Sequence, residues 1–264
     1  MNRVSASLRI ILAIARVTFS EILKDKVLYG ALMICASLLA LGALVSNISF
    51  IRPERILLNF GLLALALGSG FLGVLGGAVV LIREFERRTI FIALARPISR
   101  LEFLVGKYAG LAAVLFLNSL LLSSGFLLIL RLVSGASFSP GGTLIAALGL
   151  LFVQSLVLAA ISLFFSSFST SSLSIVMALG IYLVGVNSSQ IRLLSAKQEL
   201  GAFKVLLELV ASIIPNFEHF NLGLKVTYGL AVPSEFLIKS LVYAGVWISL
   251  LLLSAGYLVE RKEN

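Results

Sequence analysis

Few side chains in this sequence are of the types that do chemistry, and their spacing excludes most of it. The sole histidine, His219, stands in Pro215-Asn216-Phe217-Glu218-His219-Phe220-Asn221 beside Glu218 and Asn221. A metal site there would be short of ligands, so His219 reads as a surface hydrogen-bonding residue. The one cysteine, Cys35, lies inside an apolar run. It can form neither a disulfide framework nor a thiolate metal site, and reads as a small buried hydrophobe. Gly106-Lys107 invites comparison with a phosphate-cradling loop, but Leu101 occupies the place of its first glycine. The chain therefore does not hydrolyse ATP by itself and binds no cofactor of its own. No apolar run carries an Asp, Glu or His at its centre, which argues against an ion-coupled carrier. No acid cluster, Ser/His/Asp set or metal-ligand spacing supports a membrane hydrolase. Asn118 and Gln154 are the notable polar residues deep in apolar runs. Either lines a path for a cargo, or both make interhelical hydrogen bonds worth about 1 kcal/mol.

The elements that would position these residues are membrane helices. Of 264 residues, 59% are hydrophobic and only 12% charged, against about 25% charged in soluble domains. The fold class is all-α, a polytopic membrane protein forming one domain over 1–264. Six spans are predicted, near Val27 to Val45, Leu57 to Ile82, Phe103 to Leu130, Leu144 to Phe165, Leu173 to Val186 and Leu237 to Leu258. The fifth is short, and either continues into Asn187 to Ile191 or is followed by a re-entrant segment. The net charge of +9 reports topology and not nucleic-acid binding. Lys and Arg cluster before the first span and between the second and third, which places both regions and both termini in the cytoplasm. Arg192, Lys197, Lys204 and Lys225 then fall outside, in a longer segment where the rule is weak.

At roughly 100° per residue, Arg9, Arg16, Ser20 and Lys24 fall in a stripe of about 80°, beside an apolar arc of Leu8, Leu12, Ala15, Phe19 and Ile22. Residues 1–26 are therefore predicted to lie as a helix in the headgroup plane. In the second span Ser69, Gly73 and Gly77 form a small-residue ridge with Gly70 and Gly76 beside it. Such a ridge admits close helix approach, either as a dimer seam or against another helix of the same chain. Ser166 to Ser172 reads as a tight cytoplasmic turn whose hydroxyls cap helix ends. Residues 187–235 form the extracytoplasmic piece, predicted to hold two short helices, Phe203 to Ile214 and Leu222 to Val232.

The most informative stretch runs from Arg83 to Lys107. Arg83, Glu84, Glu86, Arg87 and Arg88 are charged, and a central Arg or Asp costs roughly 2.5–3.5 kcal/mol on the insertion scale, so the chain must leave the bilayer here. Thr89 to Ala95 is nevertheless apolar, and Pro97 stops any helix that has formed. A short cytosolic amphipathic helix fits, docking either on another protein or on lipid headgroups.

These residues carry a resemblance. The sequence is similar to the membrane subunit of type-2 ABC exporters, and within them to the permeases of copper-enzyme maturation and gliding motility. Ala15 to Lys26 (ARVTFSEILKDK) resembles the family's elbow helix. Glu84-Phe85-Glu86-Arg87-Arg88-Thr89, with Ala95 to Lys107 (ARPISRLEFLVGK), resembles its coupling-helix signature, Arg88 standing where many relatives have glycine. The serine-rich turn and Ile214 to Asn221 are weaker companions. The resemblance implies a permease without an ATPase site, in the bacterial inner membrane, paired with a second copy or a related permease and bound to two ATP-binding subunits that hold the ATP and Mg. Membrane lipids are the other expected partners. It further implies that Glu84, Phe85, Glu86, Arg87, Arg88, Thr89, Phe91, Leu94, Arg96, Pro97 and Arg100 form the coupling surface. The apolar interior favours a lipidic or amphiphilic cargo. A channel- or scramblase-like module, or a signalling or assembly subunit, are the alternatives.

Overall fold

The computed structural model describes residues 3–48, 53–86, 99–134, 140–197, 204–205, 208–209 and 212–261. Every regular element among them is helical: α1 (Arg3–Leu23), α2 (Lys26–Ile48), α3 (Pro53–Glu86), α4 (Arg100–Ser134), α5 (Gly142–Ser166), α6 (Ser171–Val186), α7 (Ser188–Lys197), a 3₁₀ turn (Phe217–Phe220), α8 (Gly223–Thr227) and α9 (Ser234–Arg261). Long apolar runs without internal proline leave little choice, since in lipid every backbone N–H and C=O must be satisfied within the protein. Among the described residues four helices are long and apolar enough to cross a membrane: α3, α4, α5 and α9. A fifth span results if α6 and α7, bent by 64° at Asn187, are taken as one broken span. In α2 the apolar stretch is the shorter Cys35–Val45. The chain is thus a multi-pass membrane protein with four to five helical spans among the described residues.

Helices α3 and α4 have 34 and 35 residues. At about 1.5 Å per residue each is about 50 Å long, well beyond a hydrocarbon core of about 30 Å. Each is longer than an untilted crossing of the hydrocarbon core requires.

Glycines make α3 the hub of the packing. A Cβ built on Gly61 would lie 1.9 Å from the Phe126 ring of α4, and one on Gly68 1.4 Å from Cys35 Sγ of α2. On Gly73 and Gly77 it would lie 2.5 Å from the Ser155 carbonyl oxygen and 2.4 Å from that of Ala159, both in α5. Without a hydrophobic drive between helices in lipid, such close backbone contact supplies the association energy. Ser162 Oγ adds a hydrogen bond to the Val74 carbonyl at 2.6 Å. Of the two partners the sequence left open for the Ser69–Gly73–Gly77 ridge, α5 of the same chain occupies it. Ser69 is buried too, its hydroxyl donating to the Leu65 carbonyl at 2.6 Å.

Two local expectations change. The apolar run Leu222 to Val232 does not continue as a helix: α8 stops at Thr227, and Gly229 takes φ +66°. Leu230 N–H donates to the Lys225 carbonyl at 2.8 Å and Gly229 N–H to that of Val226 at 3.2 Å, a Schellman closure whose left-handed residue favours glycine. In the serine-rich turn the hydroxyls serve the outgoing helix: Ser166 donates to the Leu163 carbonyl at 2.7 Å and Ser167 to that of Phe164 at 2.6 Å. Thr170 begins α6 without a side-chain cap. Of the expected helix Phe203 to Ile214, residues 204–205, 208–209 and 212–213 are described and helical, and 203, 206–207 and 210–211 lie outside the described residues.

Candidate functional site

The segment joining α3 to α4 is framed by what holds its two ends. Glu84, Phe85 and Glu86 form the last residues of α3. Arg87, Arg88, Thr89, Phe91, Leu94, Arg96 and Pro97 lie outside the described residues. The chain is described again from Ser99, where α4 starts with a reciprocal capping box. Ser99 N–H donates to Glu102 Oε2 at 3.0 Å and Glu102 N–H to Ser99 Oγ at 3.2 Å, which satisfies two amides the first turn would otherwise leave open. Arg100 Nη1 donates to the Val259 carbonyl at 3.4 Å near the end of α9. Leu101 packs over Gly256, where a Cβ would lie 2.5 Å from Leu101 Cδ2. The returning limb is thus pinned to the carboxyl-terminal helix.

One turn further, α1 is seated on α4. A Cβ on Gly106 would meet Ile14 Cβ at 2.8 Å, and one on Gly110 would meet the Ala15 carbonyl oxygen at 2.6 Å and Thr18 Cβ at 2.7 Å. Gly106 and Gly110 are spaced by four residues and form the small-residue seat of a close helix crossing. Thr18 is buried at this seat and turns its hydroxyl back to the Ile14 carbonyl at 3.0 Å. Lys107, between the two glycines, is 4% exposed, with Nζ 3.5 Å from Glu21 Oε2 of α1 and over the Phe103 ring. The predicted apolar arc of α1 therefore divides. Ala15, Phe19 and Ile22 turn toward the protein, while Leu8 and Leu12 are exposed, next to the exposed Arg9 and Arg16.

The two polar residues predicted inside spans have different surroundings. Gln154 of α5 is buried and its Nε2 donates to the Tyr182 hydroxyl of α6 at 3.1 Å. Asn118 of α4 is 2% exposed, and neither its Nδ2 nor its Oδ1 has a hydrogen-bond partner among the described residues. It lies on the same buried face of α4 as Leu111 and Leu115. The structure does not bring Asn118 and Gln154 into one hydrogen-bonded pair.

At the far end, Pro215 to Asn221 is wedged among the spans. Phe217 and Phe220 are fully buried, and a Cβ on Gly185 of α6 would lie 2.4 Å from the Pro215 carbonyl oxygen. Tyr243 of α9 accepts from Asn216 N–H at 2.8 Å. Glu218 accepts from both the amide and the hydroxyl of Ser189, fixing the start of α7. His219 is exposed, its ring 5.4 Å from that of Tyr243 and 6.3 Å from that of Phe236.

Among the described residues, Gln154 and Glu218 are held by side-chain hydrogen bonds and Asn118 has no partner. Compared with known families, residues 11–262 match the family described as ABC-2 family transporter protein. The chain belongs to the ABC-2 transporter family. As a member it is a membrane permease subunit of an ABC transporter, in a family whose membrane subunits lack an ATPase site and work with an ABC ATPase. No curated protein matches the chain. Within the ABC-2 frame, the capping box at Ser99 and the glycine seat for α1 were missed by sequence reasoning although both carry a signal: Ser-x-x-Glu before an apolar run, and glycines four apart.

Proposed function

We propose that this chain is the membrane body of an exporter, moving a lipidic or amphiphilic cargo across the bacterial inner membrane with energy from a separate ATP-binding subunit. The observation that carries the reading is the family match across residues 11–262. In this reading α2 is the first of six spans, α1 is the elbow helix, and both termini are cytoplasmic. Residues 83–100 form the coupling helix. Thr89 to Leu94, with Phe91 at its centre, fills a groove of the ATPase, Glu84 and Glu86 pair with basic groups at its rim, and Pro97 stiffens the return.

The frame around that segment supports the reading. The two helices it joins are each longer than the bilayer is thick, and its returning limb is tied by Arg100 to α9. Closure of two ATPase subunits, each holding ATP and Mg, would then tilt α3 and α4 as rigid levers. The second permease, a copy of this chain or a relative from the branch of copper-enzyme maturation and gliding motility, docks away from the Gly73–Gly77 groove. Asn118, a buried amide with no partner among the described residues, is the polar point along the cargo path. Gln154 is the less suited of the two, being held by Tyr182.

The test is co-purification of the ATPase with tagged permease and transport in proteoliposomes. Phe91→Asp and Glu84→Arg are expected to lose at least tenfold in both while remaining inserted. Full ATPase recovery with unchanged transport in both variants would refute the docking surface. A channel- or scramblase-like module would instead move cargo with no ATPase present.

A further inference from the structure

Helix α1 carries three faces. At about 100° per residue, Ile14, Ala15 and Thr18 point into the Gly106–Gly110 seat on α4, while Arg9 and Arg16 stand on the opposite side of the helix, both exposed. Between the seat and the arginines lie Leu8 and Leu12, 55% and 67% exposed. The seat fixes how the helix is rolled, so these faces cannot trade places. Exposed leucines gain nothing from water, and beside four apolar spans the hydrocarbon boundary is the apolar medium at hand. With Leu8 and Leu12 dipped into it, Arg9 and Arg16 stand at headgroup depth.

The charge at that depth is of one sign. Arg9, Arg16 and Lys24 are exposed, and no hydrogen bond or ion pair occupies their side chains among the described residues. The one carboxylate of α1, Glu21, is turned toward Lys107 at 3.5 Å, and Asp25, just past the end of the helix, has an interaction of its own. Arg9 and Arg16 are two helical turns apart, about 10 Å along the axis, so each planar fork can take a separate phosphate.

We propose that this outward stripe binds anionic phospholipid headgroups of the leaflet on which α1 lies, Arg9 and Arg16 each donating to a phosphate and Lys24 adding to the field. A zwitterionic headgroup offers the same phosphate but cancels it with its own ammonium, so net charge selects the lipid. Each basic side chain at an anionic leaflet strengthens the attraction about fivefold. The stripe is separate from the segment joining α3 to α4 and does not depend on which cargo is exported.

The experiment uses the full-length protein reconstituted in phosphatidylcholine vesicles, with spin-labelled phosphatidylglycerol or phosphatidylcholine as the probe and the motionally restricted lipid read by electron paramagnetic resonance. Wild type is expected to favour phosphatidylglycerol roughly threefold or more. That preference should fall by about half or more between about 0.1 M and about 1 M NaCl, because salt screens exposed charge. Arg9→Gln/Arg16→Gln keeps side-chain reach and helix preference and is expected to lower the preference roughly twofold or more. Lys239→Gln, which removes an exposed lysine paired with Glu235 near the start of α9, should leave it unchanged. Equal association of the two lipids with wild type would overturn the proposal. So would a double variant that keeps its preference, the result expected if the stripe serves an acidic protein surface instead. A loss as large in Lys239→Gln would mark a response to net charge alone and overturn it too. Should the double variant not insert, the wild-type comparison and its salt response decide, a preference unmoved by salt counting against the proposal.

Discussion

Gly77→Ala adds one methyl group at the tightest crossing of α3 on α5. That Cβ would lie 2.4 Å from the Ala159 carbonyl oxygen, 2.9 Å from Ser162 Cβ and 3.1 Å from Leu163 N. Carbon and carbonyl oxygen approach no closer than about 3.3 Å without repulsion, so the helices must part locally by nearly 1 Å. Two of the three neighbours are backbone, which cannot rotate away. Overpacking of this kind costs about 1–3 kcal/mol. Separation also stretches the 2.6 Å bond from Ser162 to the Val74 carbonyl, and an interhelical hydrogen bond in a membrane protein is worth about 0.6–1.7 kcal/mol. The expected loss is about 2–4 kcal/mol, a fall in melting temperature on the order of 5–10 °C for a chain of this size. The protein carries its own reporter. Cys35 is its single cysteine and is fully buried beneath Gly68, so a thiol-reactive fluorophore follows unfolding with no cysteine engineered in. Gly180→Ala on α6 is the control, because nothing lies within 4 Å of its Cβ position; it should leave the melting temperature unchanged or slightly raised. If Gly77→Ala melts within 1 °C (about the assay's scatter) of Gly180→Ala, the claim that this seam holds α3 to α5 is refuted.

Two further outcomes follow from the same geometry. Gly110→Leu should lift α1 from its seat, since even a Cβ there meets the Ala15 carbonyl oxygen at 2.6 Å; limited proteolysis should then cut within α1 while the spans stay protected. Asn118→Leu should raise the melting temperature by a few degrees, because a buried amide lacking partners costs about 1–3 kcal/mol, and should lower transport in proteoliposomes; unchanged transport would remove Asn118 from the cargo path.

The sequence was most readable where the bilayer dictates the answer. Apolar length alone located α3, α4, α5 and α9 to within a few residues, since a span needs enough continuous hydrocarbon-compatible chain and charge ends it. The partners of those helices were less readable. A Ser69–Gly73–Gly77 ridge has the same pattern whether the opposing backbone belongs to α5 or to a second molecule. Lys107 shows why charge patterning misleads at close quarters. In the sequence it reads as one more cytosolic cation near a span boundary, yet two glycines draw α1 over it and bury it against Glu21. Gly229 did carry a stop signal, but the apolar residues of Leu222 to Val232 read as a longer helix than the Schellman closure allows. Of the expected coupling residues, Arg100 is described with one partner, the Val259 carbonyl of α9.

That last contact has a mechanical consequence. The returning limb of the connection is latched at Val259 by Arg100 and braced by Leu101 on Gly256, while the outgoing limb ends a helix packed on both α4 and α5. The start of α4 and the last turns of α9 are thereby held together, so that any displacement of one is passed to the other. The least buried of the four long helices is tied in this way to the start of α4, and trimming the tail back past Val259 would cut a linkage and not merely a loose end.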